Sequence, residues 1–234
     1  MRLLYVFPHP DDESFGPALA IVRQRREGHF VHLLTLTRGG ATKQRHRLGL
    51  GIDEMGLVRR REMDCVASVL DLASMDVLDL PDGRLAEVEG ATLRAVVRDA
   101  FHRCDPDVVV TYASHGVSGH PDHVRTHHIV SSVFDDVSER NGRPARLAFF
   151  TLLPIEPTDE LCTSTPDEVD CAVQVDETDV ATTSRALACY ASYAETIREK
   201  DPIARVGRVV YFDVYGEEHD PWLNDLTAGI QGAR

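Results

Sequence analysis

The chain has 234 residues, 43% of them hydrophobic, enough to bury a full core as one α/β unit. Its formal net charge of -13 excludes general electrostatic binding of duplex nucleic acid or an anionic membrane, both of which need a positive surface. The five cysteines, Cys65, Cys104, Cys162, Cys171 and Cys189, are odd in number and lack C-x-x-C spacing, so they predict no structural zinc or redox motif and fit a reducing cytosol. The opening "LLYVF" is too short for a signal-peptide core, and no later run reaches transmembrane length, so a cytoplasmic protein is expected.

Apolar runs alternate with helical periodicity from the first residue, the pattern of βαβ units around a parallel sheet. The first strand is expected over residues 2–7. A helix follows with Phe15, Leu19 and Val22 on one face and Gly28 as its stop, then a strand "FVHLLTLT". The span from Arg38 to Met55 is Gly-rich and basic and reads as one long loop. Met63, Val66, Ala67 and Leu70 mark the next helix and "MDVLDL" a short third strand. Leu93, Val96, Val97, Ala100 and Phe101 mark another helix. The fourth strand, "DVVVTY", is β-branched throughout, as strands buried on both faces are.

Val130, Val133, Phe134 and Val137 line the helix after it, and "LAFFTLL" is the fifth strand. The loop from Pro154 to Asp167 reads as a lid or as plain surface. "CAVQV", a helix with Leu187, Tyr190, Ala191 and Ala194 in register, and an edge strand "VVYFDVY" complete residues 1–234 as one domain. The expected fold is a Rossmann-like three-layer α/β/α sandwich, strand order near 3-2-1-4-5, with that last strand added at the edge.

Two segments share one grammar. "HPDD" at residues 9–12 and "HPDH" at residues 120–123 each follow a buried strand and open a helix, where proline suits the first turn. In the order 3-2-1-4-5 the first and fourth strands are neighbours, and the loops leaving them face the crevice where the winding reverses. His9, Asp11, Asp12, His120, Asp122 and His123 therefore converge, a histidine and carboxylate set suited to zinc or a related divalent ion. His9 and Asp12 are three apart and can aim together, which leaves Asp11 free to act as a base. Either segment alone is better explained by aspartates capping a helix and complementing its dipole; the pair on one crevice favours chemistry.

"PHPDDES", "LTLTRGG", "RRREM" and "GHPDH", in that order, resemble the LmbE-like (PIG-L) family of zinc-dependent N-acetylglucosaminyl deacetylases, over most of the first 140 residues. The opening is most similar to the bacillithiol-biosynthesis branch. The resemblance implies zinc, with Fe2+ as another candidate, held by His9, Asp12 and His123. It also implies Asp11 as general base, His120 as acid and oxyanion partner, Asp122 as the residue that orients His120, and Arg59 at the substrate. With Arg38, Lys43, Arg45 and Arg47, Arg59 forms a basic island in an acidic chain, expected to receive a carboxylate or phosphate on the aglycone of a small amino-sugar substrate such as N-acetylglucosaminyl malate. Relatives are often oligomeric, which implies a homo-oligomer.

Glu13 reads equally as a first-turn helix acid or a contact behind the ligands, and His115 as a solvated loop residue. His123 and His127 have i, i+4 spacing, but without the glutamate of H-E-x-x-H they give no metalloprotease signature. The family's late His-x-Ser-Gln element survives in "YASYAE" only as Ser192. The competing functions are a metal-dependent phosphoesterase and a non-catalytic sugar-binding protein on the same fold; the intact ligand set beside Asp11 counts against the second. A dinucleotide-binding enzyme fails for want of G-x-G-x-x-G at the first turn.

Overall fold

A computed structural model describes residues 1–154 and 161–231. In chain order the elements are β1 (Arg2–Phe7), α1 (Asp12–Phe15), α2 (Ala18–Arg26), β2 (Phe30–Thr37), α3 (Gln44–Leu48), α4 (Ile52–Val69), β3 (Ser74–Leu80), α5 (Gly90–Cys104), β4 (Val108–Tyr112), α6 (Pro121–Asn141), β5 (Arg146–Thr151), β6 (Cys171–Gln174), α7 (Glu177–Ala188), α8 (Ala194–Lys200), α9 (Pro202–Val206) and β7 (Val209–Val214). The strands form one sheet in the order β3-β2-β1-β4-β5-β7-β6. β1 pairs in parallel with β2 (Leu3 beside Val31) and with β4 (Tyr5 beside Val110). This is the expected three-layer α/β fold, with the expected order of its first five strands.

Side chains alternate across a strand, so β1 feeds two cores. Leu3, Tyr5 and Phe7 face the layer that contains Ile21 of α2, Met63 and Val66 of α4 and Ala186 of α7. Leu4 and Val6 face Leu93 and Val97 of α5 and Val130 and Val133 of α6. Strands buried on both faces explain the unbroken apolar runs in the sequence.

Four expectations are corrected. The strand "VVYFDVY" was expected at the edge, but β7 lies between β5 and β6, antiparallel to both, and β6 takes the outer place. Val210, Phe212 and Val214 are buried, whereas β6 is four residues long and ends on exposed Gln174, a short margin of the kind that blunts a sheet edge. The first helix is broken into α1 and α2, because Pro17 has no N–H to continue the ladder. The 38–55 span is not one loop: it holds α3, capped by Gly49 with φ +68°, and the start of α4, where the Glu54 carboxylate accepts the Gly51 N–H at 2.8 Å. The late helix stops at Ala188, and a 3-10 turn, Ala191–Tyr193, leads into α8. Residues 155–160 of the Pro154–Asp167 loop lie outside the described residues.

Cys65 on α4 and Cys189 just past α7 form a disulfide, joining residues 124 apart in sequence. Scattered spacing hides such a pair because only helix packing brings the two sulfurs together. Cys104, Cys162 and Cys171 are free. Titration of the denatured, unreduced protein with a thiol reagent is expected to count three thiols; a count of five would show that the bond does not form. Among the described residues no helix is long and apolar enough to cross a membrane.

Candidate active site

The C-terminal ends of β1 and β4 lie side by side, and the two His-Pro-Asp segments leave them into one crevice. Asp11 precedes α1 with φ +85°, a left-handed conformation that turns its side chain away from that of Asp12. His120 caps α6: its Nδ1 accepts the Asp122 backbone N–H at 3.1 Å, with Pro121 in the first turn.

Two ring nitrogens and both oxygens of one carboxylate meet. His9 Nδ1 and His123 Nε2 are 3.3 Å apart, His123 Nε2 is 3.3 Å from Asp12 Oδ1, and His9 Nδ1 is 3.5 Å from Asp12 Oδ2. The hydrogen bonds on the far side of each ring set the tautomers. His123 Nδ1 faces the Gly116 carbonyl at 2.9 Å, and His9 Nε2 faces Asp122 Oδ2 at 3.1 Å and Asp82 Oδ1 at 3.4 Å, so both those nitrogens carry the proton. Two imidazole lone pairs and a carboxylate thus point at one place, which is repulsive unless a cation lies between them.

Tetrahedral zinc with bonds of about 2.0–2.1 Å has ligand-to-ligand edges of about 3.3–3.4 Å, close to the three separations found. The carboxylates behind His9 complete the arrangement in which a metal-binding imidazole is held by an acid on its other nitrogen. The residues present therefore fit a divalent ion. His120 stands beside them, its ring centroid 4.8 Å from that of His9 and 5.1 Å from that of His123, and one nitrogen from each of the three rings falls within a 4.8 Å group.

The electrostatics agree. Burial pulls His9 down, but hydrogen bonds and charge from Asp12, Asp122 and Asp82 outweigh it and push the ring up to about 10, so without a metal a proton stands in for the cation. Burial raises Asp12, yet His123 and His9 hold it well below the usual carboxylate range. Burial pushes Asp11 up to about 6, with Asp12 adding to the rise and the Arg59 charge opposing it. His120 is lowered by burial and by the neighbouring His9 and His123.

Two expected roles change. Asp122 was expected to orient His120, but its carboxylate faces the other way. Oδ2 accepts from His9 Nε2 and from the Gly83 N–H at 2.9 Å, and Oδ1 from the Leu85 N–H at 2.9 Å, because the loop after β3 passes under α6 there. Asp122→Asn removes the negative charge behind His9 and is expected to weaken metal affinity about 10–100-fold in a competition titration; unchanged affinity would detach Asp122 from the metal site.

Arg59 was expected at the substrate's anion. It is only 2% exposed and is spent inside the protein: Nη2 pairs with Asp11 Oδ2 at 2.7 Å and donates to the Pro10 carbonyl, Nη1 donates to the Gly39 carbonyl at 3.3 Å, and the guanidinium lies 4.3 Å from the Tyr193 ring centroid. Arg38 pairs with Asp79 at 3.3 Å and lies outside the cavity lining, and Arg47 donates to the Ser192 carbonyl at 3.1 Å. Of the basic island, Lys43 and Arg59 reach the cavity wall.

Gly39 explains the "RGG" element. Its φ is +64°, and a Cβ there would stand 2.5 Å from Arg59 Nη1 and 2.9 Å from Pro10 Cδ. Gly39→Ala is expected to cost about 1–3 kcal/mol of stability and to dislodge Arg59 from Asp11, checked by chemical denaturation; wild-type stability would show that the turn tolerates a side chain.

Sequence reasoning missed four residues. Tyr112, the last residue of β4, donates to Asp12 Oδ1 at 3.0 Å and stacks on His123 with centroids 4.3 Å apart. Tyr190 accepts the Asp11 N–H at 2.9 Å and donates to Glu13 Oε1 at 2.7 Å, which places fully buried Glu13 behind the site. Asp82 follows β3, in a loop that the switch-point rule applied to every strand end would have flagged. Tyr193 left no signal. Its turn is held by Glu62, which accepts from the Ser192 N–H and hydroxyl at 2.7 Å each, so the surviving serine of the late element is a packing contact. His115 and His127 stand outside the donor cluster, bonded to the Val117 N–H and the Tyr112 carbonyl.

The model of the PIG-L family, described as GlcNAc-PI de-N-acetylase, matches residues 4–134. The chain belongs to the PIG-L family. A 1D-myo-inositol 2-acetamido-2-deoxy-alpha-D-glucopyranoside deacetylase of Saccharomonospora viridis is 31% identical over 209 residues, 74% of this chain and 78% of its own. The chain spans about half the length of other curated relatives it matches. Among solved structures, a deacetylase of the teicoplanin biosynthesis pathway superposes with a TM-score of 0.69 at 20% identity, covering 92% of this chain and 97% of its own. GalB, the 4-carboxy-2-hydroxymuconate hydratase of Pseudomonas putida KT2440, does so at 0.68 and 18% identity, covering 93% and 97%. The fold is thus shared by a hydrolase and a hydratase, and the reaction of this PIG-L protein has to be argued from its site.

Proposed function

We propose that this PIG-L protein is a metal-dependent amidohydrolase that removes the acetyl group from an N-acetylglucosamine-containing small molecule, giving acetate and the free amine. The observation that carries this reading is the convergence of His9 Nδ1, His123 Nε2 and the Asp12 carboxylate beside an independent acid, Asp11. His9, Asp12 and His123 would hold the ion, zinc first and Fe2+ as the other candidate. Such an ion polarises an amide carbonyl and lowers the pKa of water toward ~7.

The chain's own residues supply the proton steps. Asp11, raised to about 6, takes the proton from the attacking water while Arg59 holds its carboxylate in place. The water's oxygen bonds to the carbonyl carbon. His120 stands where its Nε2–H can hydrogen-bond the developing oxyanion; its lowered pKa leaves the ring neutral at rest, so the proton that Asp11 takes from water passes to His120 and from there to the departing nitrogen. Breaking the C–N bond then releases carboxylate and amine. Asp122 keeps His9 in the tautomer that offers Nδ1.

On the substrate side, Arg38 lies outside the cavity lining and buried Arg59 is paired with Asp11, so an anionic aglycone would be met by Lys43. Neither the malate glycoside of the bacillithiol branch nor the inositol glycoside named for the relatives is preferred by these contacts. A second reading, a two-ion phosphoesterase, has one observation in its favour: His9, Asp82 and Asp122 offer a further donor group within 4.8 Å. It shares His9 with the first site, which weighs against two ions.

The deciding test is a metal-replete assay across N-acetylglucosaminyl malate, N-acetylglucosaminyl inositol, chitobiose and an aryl phosphate. Acetate release from at least one of the sugars and none of the phosphate turned over is the expected result. Phosphate hydrolysis without acetate release would replace the deacetylase by the phosphoesterase.

A further inference from the structure

The point where the donor atoms converge is shared by two cavities of unlike character. Both are lined by Asp11, Asp12, His123 and Tyr193. The first, about 350 Å³, is polar, with Thr42, Lys43, Asp82 and His120 in its wall. The second, about 340 Å³, lies on the side of α1, β5, α8 and α9, and its wall is largely apolar: Phe15, Val117, Phe150, Leu152 and Leu161. Lys200 and Arg205 also contribute to it.

An amide bond at the metal has two halves that point apart. The amine half must face the group that protonates the leaving nitrogen, and His120 lines only the polar cavity among these two. Sugar hydroxyls also match Asp82, Thr42 and Lys43 there. The acyl half is then directed into the apolar cavity. An acetyl methyl is about as large as one water molecule, whose share of liquid volume is about 30 Å³, so it would fill roughly a tenth of that space. Leaving the rest to water against five apolar side chains wastes burial that a longer chain would gain.

Resting on the amidohydrolase reading above, we propose that the preferred substrate carries an unbranched aliphatic N-acyl group of about six to ten carbons on the amino sugar. The apolar cavity beside Asp12 and His123 receives that chain. Acetyl is accepted as a short member of the series. The reaction is the same hydrolysis: water adds to the carbonyl carbon, the C–N bond breaks, and a fatty carboxylate leaves with the free amine.

The test is kcat/KM for N-acetyl-, N-butanoyl-, N-hexanoyl- and N-octanoylglucosaminides with the wild-type, metal-loaded protein. Burial of each methylene is expected to raise kcat/KM about fourfold until the cavity is full, so octanoyl should exceed acetyl by at least about tenfold. Leu161→Trp, which narrows the cavity, is expected to lower the octanoyl-to-acetyl ratio about tenfold or more. A flat or falling series, with acetyl turned over normally, overturns the acyl-chain proposal and leaves the deacetylase standing. Release of no acid from any member overturns the amidohydrolase reading itself, and an unchanged ratio in Leu161→Trp removes this cavity as the acyl site. The wild-type series decides the matter even if the variant does not fold.

Discussion

Asp11→Asn is expected to lower kcat by about 10²–10⁴-fold while the protein still binds one equivalent of metal. The reasoning is geometric. Asp11 and Asp12 are neighbours in sequence, but the left-handed backbone at Asp11 sends their carboxylates to different partners. Asp12 accepts from Tyr112 and the His9 N–H and faces His123, while Asp11 lies against Arg59. The substitution therefore removes the proton acceptor and spares the donor set. Asparagine keeps an oxygen for the guanidinium but no charge, which leaves a buried Arg59 uncompensated, so stability should fall as well. Metal content by plasma emission, kcat and a melting curve separate the effects. A folded, metal-loaded variant with kcat within about threefold of wild type would end the assignment of Asp11 as base.

His123→Ala is expected to act through the metal itself: metal is lost and activity falls by more than about 10³-fold, the equivalent of the several kcal/mol that a Lewis acid contributes to the transition state. His123 is held from three sides, by the Gly116 carbonyl, by the Tyr112 ring and by its place in the first turn of α6, so its Nε2 has one direction in which to point. Truncation takes away that nitrogen and leaves the lone pair of His9 and the Asp12 carboxylate with a vacancy between them. Chelator treatment of the wild type should produce the same loss, restored by added zinc. Activity that survives both the mutation and chelation would mean that no metal takes part.

Much of this was legible in the sequence. The alternation of elements followed from apolar periodicity, which each segment carries in its own residues, and strand order then placed "HPDD" and "HPDH" on one crevice. The misses share a cause. Asp122 was paired with the histidine two residues away, whereas its carboxylate serves His9 at a separation of 113 residues. Arg59 was grouped with a basic island expected at the substrate's anion, and its burial depends on a turn of glycines from one segment and a tyrosine from another. The edge assignment of the last strand failed because its composition fits an inner antiparallel strand as well as an outer one.

The sequence by itself determined the layered α/β architecture and which side chains would compete for a cation, because helix and strand periods and the residues at strand ends are local properties. Only the tertiary structure decided which nitrogen of each imidazole faces the other donor atoms, that Arg59 pairs with Asp11, and that an apolar cavity opens beside Asp12 and His123. Those facts depend on where one hydrogen bond is made rather than another, and such choices are settled by side chains that meet only when distant segments pack.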